Sequence, residues 1–199
     1  MPLSRRFHNG ISDIALIAIG ASTGGTTAIT SIVTELPDGL PGIVIVQHMP
    51  EDFTGMFAKT LDSKCALAVT EARHGDRILP GTVLVAPGNM QLKIVHNLDV
   101  FTVSVKPGEK VSGHCPSVDV LFSSAAEAAG RRAIGVLLTG MGQDGAAGLL
   151  KMKKAGAATI GQDERSCVIY GMPKVAHDIG AVTYQLPLDR IAAHIISLL

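Results

Sequence analysis

Residues 14–36 constrain the fold more than any other stretch of the chain. IALIAIG is an apolar run without a charge, ASTGG is a small polar loop, and in TTAITSIVTEL the residues Ile29, Ile32, Val33 and Leu36 recur at i, i+3, i+4 and i+7. The uncharged run predicts a buried strand, the glycine-rich loop a tight turn, and the 3.6-residue period an amphipathic helix. Together they make the opening unit of an α/β sheet. Ser22 stands in the turn, at the carboxyl end of the strand, where open α/β sheets place their ligands.

The rest of the chain repeats the pattern. Pro37-Asp38-Gly39 is a turn before a β-branched strand at 42–46, and Gln47-His48-Met49-Pro50 follows at its carboxyl end. Phe53, Met56, Phe57 and Leu61 keep helical spacing, an apolar piece lies around 66–69, and 83–86 is a short strand. Residues 91–95 and 100–105 instead alternate apolar and polar positions, which predicts an antiparallel hairpin added to a mostly parallel sheet. Ser117 is placed to cap a helix over 118–129. A buried strand at 133–138, a glycine-rich loop at 139–145, a helix to Gly156, a strand at 157–160, a short helix near 174–178, a strand at 182–186 and a closing helix complete the chain. The fold class is α/β, doubly wound, with helices on both faces of the sheet. Residues 1–12 read as a tail or linker remnant and 13–199 as one domain; a chain of 199 residues is long enough to bury a core without disulfides.

Composition narrows the function classes. Lys+Arg and Asp+Glu balance at 17 each, so no net field recruits nucleic acid or an anionic membrane. The apolar runs are too short to span a bilayer, and Arg5 and Arg6 precede His8, Asn9 and Gly10 rather than a signal-peptide core. Cys65, Cys115 and Cys167 are odd in number and lack CxxC spacing, which fits a reducing compartment and a cytoplasmic protein.

Three polar residues each follow an apolar strand: Ser22, His48 and Asp144. Strand ends of one polarity share one edge of a parallel sheet, so the three can converge. A serine needs a base to act as a nucleophile at neutral pH, and the base needs a carboxylate to hold its tautomer, so the residue types fit a Ser–His–Asp triad. The helix after Ser22 would offer N–H groups to an oxyanion. Each residue also has a structural reading: Ser22 as a helix cap, His48 as a strand-end histidine, Asp144 as a turn or cap residue. Gly20-x-Ser22-x-Gly24 also matches the nucleophile elbow of α/β-hydrolases. His114, before Pro116, reads equally as a loop histidine or a site-lining one, and His74, His96, His177 and His194 as surface or packing residues. No H-E-x-x-H or ligand-spaced cysteine cluster exists, and the first loop lacks both the P-loop ending and GxGxxG, so neither a metal nor a nucleotide is expected.

GASTGG at 20–25, QHMP at 47–50, APG at 86–88, PSVDVLF at 116–122, LTGMGQDGAAG at 138–148 and YGMP at 170–173 resemble the CheB-type protein-glutamate methylesterases of bacterial chemotaxis, in order and over nearly the whole chain. The resemblance implies a catalytic domain with Ser22 as nucleophile, His48 as base and Asp144 as orienting acid. It also implies an oxyanion held by the backbone N–H of Met141, with Thr23 a candidate second donor. The implied substrates are γ-methyl esters of glutamate on the cytoplasmic helices of chemoreceptors, with glutamine deamidation in many members, no cofactor, and nothing that demands more than a monomer.

Two departures from the family pattern stand out: Cys115 replaces the arginine of an HRPS segment, and Gln91 a common histidine after the APG turn. Both touch surfaces near the expected site and bear on receptor recognition more than on chemistry. Family members usually carry an N-terminal receiver domain. The 13 residues before the first strand are too few for one, which leaves an excised catalytic domain or a stand-alone member. Two rival readings remain: a serine esterase with an α/β-hydrolase-type set of Ser22, Asp144 and His177, and a receptor-binding module without turnover.

Overall fold

The computed structural model describes residues 13–199; the tail expected at 1–12 lies outside the described residues. The chain runs β1 (Leu16–Ala21), α1 (Gly25–Glu35), β2 (Gly42–Gln47), α2 (Glu51–Asp62), β3 (Ala68–Glu71), β4 (Thr82–Val85), β5 (Gln91–Asn97) and β6 (Val100–Lys106). It continues with α3 (Val118–Ala129), β7 (Ala133–Leu137), α4 (Ala146–Lys154), β8 (Ala158–Gln162), α5 (Met172–Asp178), β9 (Tyr184–Leu186) and α6 (Leu188–Ser197).

Seven strands form one sheet in the order β3-β4-β2-β1-β7-β8-β9, parallel at every pairing. β1, β2 and β7 are buried at every position, as central strands covered on both faces must be. Alternate residues feed two separate cores. Leu16, Ala18, Val44 and Val46 pack with Leu121, Phe122, Leu149 and Met172, under α3, α4 and α5. Ile17, Ile19, Ile43 and Ile45 pack with Ile29, Val33, Leu61 and Ile191, under α1, α2 and α6. This is the doubly wound arrangement. β2 lies on one side of β1 and β7 on the other, so connections leave the centre in opposite directions and open a crevice at the carboxyl ends of those strands.

The hairpin expected at 91–105 forms, but as its own two-stranded sheet, β5 against β6. Its apolar residues Leu92, Ile94, Phe101 and Val103 face α3 rather than a strand edge. Ser124 of α3 accepts from the Ile94 N–H at 2.9 Å and donates to Leu121 O at 2.8 Å, so the contact is polar as well as apolar. The hairpin therefore backs α3, the helix whose first turn carries the site. Phe122 of α3 is fully buried in the same core. Phe122→Ala is expected to cost about 3–5 kcal/mol of stability, read as a lowered denaturant midpoint.

Candidate active site

Asp144 sits in the loop that joins β7 to α4 and is 1% exposed. An ionised carboxylate so placed needs donors for its oxygens. Oδ1 accepts from Ser117 Oγ at 2.7 Å and Asp119 N at 3.0 Å; Oδ2 accepts from Val118 N at 2.7 Å and from His48 Nε2 at 2.8 Å. Two of those donors are the first N–H groups of α3, which have no partner inside the helix and lie at its positive end. Ser117 is the N-cap of α3, accepting from Val120 N at 3.4 Å while its own hydroxyl hydrogen goes to Asp144. Gly145, at φ 89°, permits this approach: a Cβ there would lie 2.6 Å from Val118. Burial pushes the Asp144 carboxyl up, but the hydrogen bonds from His48, Ser117, Asp119 and Val118 outweigh it and hold the group below the usual carboxylate range.

His48 follows β2 directly. Its main-chain N–H donates to Ala21 O at 3.1 Å, extending the β1–β2 ladder by one bond. Because an ionised carboxylate only accepts, Nε2 carries the proton in the bond to Asp144, and Nδ1 holds the lone pair of the neutral ring. Nδ1 is buried and has no hydrogen-bond partner among the described residues. His114 covers the ring face, with centroids 3.7 Å apart and planes 8° from parallel, which places it in the site. Burial and the nearby His48 push the His114 imidazole below the ordinary histidine range. Lys110 adds to this and Asp144 pulls the other way.

Ser22 follows β1, and the register that pairs Ala21 with Gln47 puts it beside His48, both on the α3 side of the sheet. The N-cap of α1 is Gly24, in left-handed conformation and without a side-chain cap, so Ser22 does not serve as the cap. The described residues contain no hydrogen-bond partner for the Ser22 hydroxyl. Its main chain is held instead: Ser22 N donates to Thr139 O at 3.0 Å, and Ser22 O accepts from Gly25 N at 2.7 Å and Gln47 Nε2 at 2.9 Å. Thr139 Oγ1 lies 2.9 Å from Thr23 O, to which it donates. The backbone N–H groups of Thr23 and Met141 donate to no protein acceptor among the described residues. Met141 follows Gly140, which packs against Ser22, and its side chain is 65% exposed.

The structure does not bring His177 to Asp144. The imidazole lies on α5, half exposed, with Nδ1 3.7 Å from Asp178. Gln91 corrects the expectation of a recognition-surface residue, because it is buried and saturated. Its Nε2 donates to Glu109 O at 2.9 Å and His114 O at 3.2 Å, and its Oε1 accepts from Ser117 N at 3.0 Å. It thus stitches the 107–117 loop, which carries His114, to the start of α3. Cys115 is half-buried and lines a cavity of about 240 Å³ with His48, Met49, Asn89, Lys110 and His114. All three cysteines are free, and burial pushes each thiol up, Cys167 to about 11, so none is poised as a thiolate nucleophile. Among the described residues no group of three or more His, Cys, Asp or Glu is placed to hold a metal, and no helix is long and apolar enough to cross a membrane.

A parallel sheet with a carboxylate–imidazole pair and a serine at its central strand ends defines a doubly wound α/β domain with polar residues gathered at its switch point. More specifically, the chain belongs to the CheB methylesterase family, whose model matches residues 17–195. It is 57% identical over 176 residues to protein-glutamate methylesterase/protein-glutamine glutaminase 2 of Syntrophomonas wolfei subsp. wolfei, covering 88% of this chain and 52% of that protein. It is 52% identical over 184 residues to the protein-glutamate methylesterase/protein-glutamine glutaminase of Syntrophotalea carbinolica, covering 92% of this chain and 52% of that one. The chain thus spans about half the length of these curated relatives. Among solved structures it is similar to the CheB methylesterase catalytic domain of Thermotoga maritima, with a TM-score of 0.91 and 37% identity over 94% of this chain and 99% of that one.

The lowered pKa of Asp144 has a definite sign in stability. Its unfolded carboxyl titrates near the ordinary value of about 3.9, so its contribution is fully present above that pH. It is lost as pH falls through the lower folded value. Unfolding free energies measured from pH 7 to pH 2 are expected to fall less steeply on the acid side in Asp144→Asn than in the parent. At pH 7 the variant is expected to lose about 1–3 kcal/mol, as buried donors lose a charged acceptor.

Proposed function

We propose that residues 13–199 form the catalytic unit of a cytoplasmic protein-glutamate methylesterase. In this reading Ser22 is the nucleophile, His48 the general base and Asp144 the acid that orients it. The single observation that most supports the reading is the 2.8 Å bond from His48 Nε2 to the saturated Asp144 carboxylate, at the strand end beside Ser22. That bond leaves Nδ1 to take the hydroxyl proton. The family and the names of the relatives favour a γ-methyl ester of a receptor glutamate as substrate.

The chemistry is acyl transfer. Ser22 Oγ attacks the ester carbonyl while its proton passes to His48 Nδ1, and Asp144 stabilises the imidazolium across Nε2. The carbonyl oxygen becomes an oxyanion, for which the unpartnered N–H groups of Thr23 and Met141 are the proposed donors. Collapse breaks the bond to the methoxy group, which takes the proton from His48 and leaves as methanol. Water then attacks the acyl-serine, giving its proton to His48. Breakdown returns a proton to Ser22 Oγ and frees the glutamate carboxylate. The relatives' names also include protein-glutamine glutaminase. The same steps serve a primary amide, with ammonia as the leaving group.

Methanol release from methylated chemoreceptor membranes tests the reading. Ser22→Ala and His48→Ala are each expected to lower the rate on the order of 10⁴–10⁶-fold, and His177→Ala to leave it unchanged. Release that survives His48→Ala but vanishes in His177→Ala would select the rival triad. Receptor binding without Ser22-dependent release would select a binding module.

A further inference from the structure

Gln47 ends β2 and is 3% exposed, a primary amide among apolar neighbours. Its Nε2 donates to Ser22 O at 2.9 Å and to His48 O at 3.1 Å. Both N–H donors of one side chain are thus spent on the main chains of the two residues read above as nucleophile and base. Its Oε1 is buried without a partner. An unpaired buried carbonyl is costly, so an apolar side chain would suit the core better. The two N–H bonds are what an apolar residue cannot supply.

The position of those bonds gives them a use. The β1–β2 ladder ends with His48 N on Ala21 O, and beyond it parallel strands are free to diverge. Thr139 holds Ser22 from the β7 side; Gln47 is the tie on the β2 side. Moreover, Ser22 C=O and Thr23 N–H belong to one planar trans peptide and point in opposite directions. Fixing Ser22 O therefore also fixes the direction of the Thr23 N–H. Gly25 makes the room, since a Cβ there would lie 2.1 Å from Gln47 Oε1.

We propose that Gln47 is a positioning residue for the acyl-transfer step: its amide clamps the Ser22 and His48 main chains together and aims the Thr23 N–H at the developing oxyanion. The inference rests on the reading of Ser22 and His48 given above. Geometry of this kind acts on the transition state more than on substrate binding, and a misplacement of about 1 Å costs about 10²-fold in rate.

The full chain and its Gln47→Met variant, equal in reach but without donors, are compared in kcat and KM for methanol release. Labelling of Ser22 by a fluorophosphonate, which needs no receptor, and thermal melting are measured alongside. Expected is a fall in kcat of about 10²-fold with KM within a factor of about 2, a parallel loss in labelling rate, and a cooperative melt. A folded variant with parental kcat, or one in which KM alone changes, overturns the proposal. Should Gln47→Met fail to fold, the smaller Gln47→Leu, also without donors, takes its place, and the same kcat loss is expected. A parental kcat there is equally fatal. A parent that neither releases methanol nor labels at Ser22 removes the underlying reading and this one with it; a parent that does both, beside an unimpaired variant, removes this one alone.

Discussion

The rest of the site depends on the seating of the Asp144 carboxylate on the first turn of α3. A buried carboxylate without partners would give up its proton only at great cost. Here the N–H groups of Val118 and Asp119, the Ser117 hydroxyl and the His48 ring occupy its oxygens. The negative charge is thereby both kept and aimed. It faces one ring nitrogen of His48 and, by accepting that nitrogen's hydrogen, decides which nitrogen keeps its lone pair. The helix that supplies the donors is held from behind by the hairpin, through Ser124 and the apolar face of β5 and β6. Elements distant in sequence thus serve one carboxylate.

Around that anchor, the central strands deliver side chains to one edge. β1, β2 and β7 are adjacent and parallel, so the loops after them meet at the switch in winding direction. Beyond the ladder, polar side chains take over from sheet hydrogen bonds: the Gln47 amide holds Ser22 O and the Thr139 hydroxyl holds Thr23 O. Gln91 does the same for the loop that lays His114 over His48. Buried polar groups of this kind hold a loop in one conformation because every alternative leaves donors and acceptors unpaired in low dielectric.

Much of this was legible before any coordinates. The uncharged runs at 14–19 and 42–46 and the alternation at 91–105 predict central strands and a hairpin, and β1, β2, β5 and β6 are there. Ser117 reads as a helix cap from its position alone and is one. Less legible were contacts that no local period encodes. Gln91 looked like a surface substitution, yet three hydrogen bonds bury it. His114 could be read either way until the stack with His48 placed it. Gln47 and Thr139 gave only a weak signal, a polar residue closing an apolar run, which a strand end explains just as well. The docking of the hairpin on α3 was likewise beyond pattern reading, since alternation tells that one face is covered and not by what.

The sequence by itself determined the layered α/β architecture and the membership of Ser22, His48 and Asp144 in a set of strand-end polar residues. Hydrophobic period and turn chemistry are local properties, written residue by residue. The tertiary structure alone decided by which nitrogen His48 meets Asp144, and that Ser22 does not cap α1. His48 and His177 are equal as residue types, and only the strand order sets one at 2.8 Å and leaves the other on an exposed helix. Hydrogen bonds act over about 3 Å, so partners 96 positions apart in the chain exist only once the sheet has brought them together.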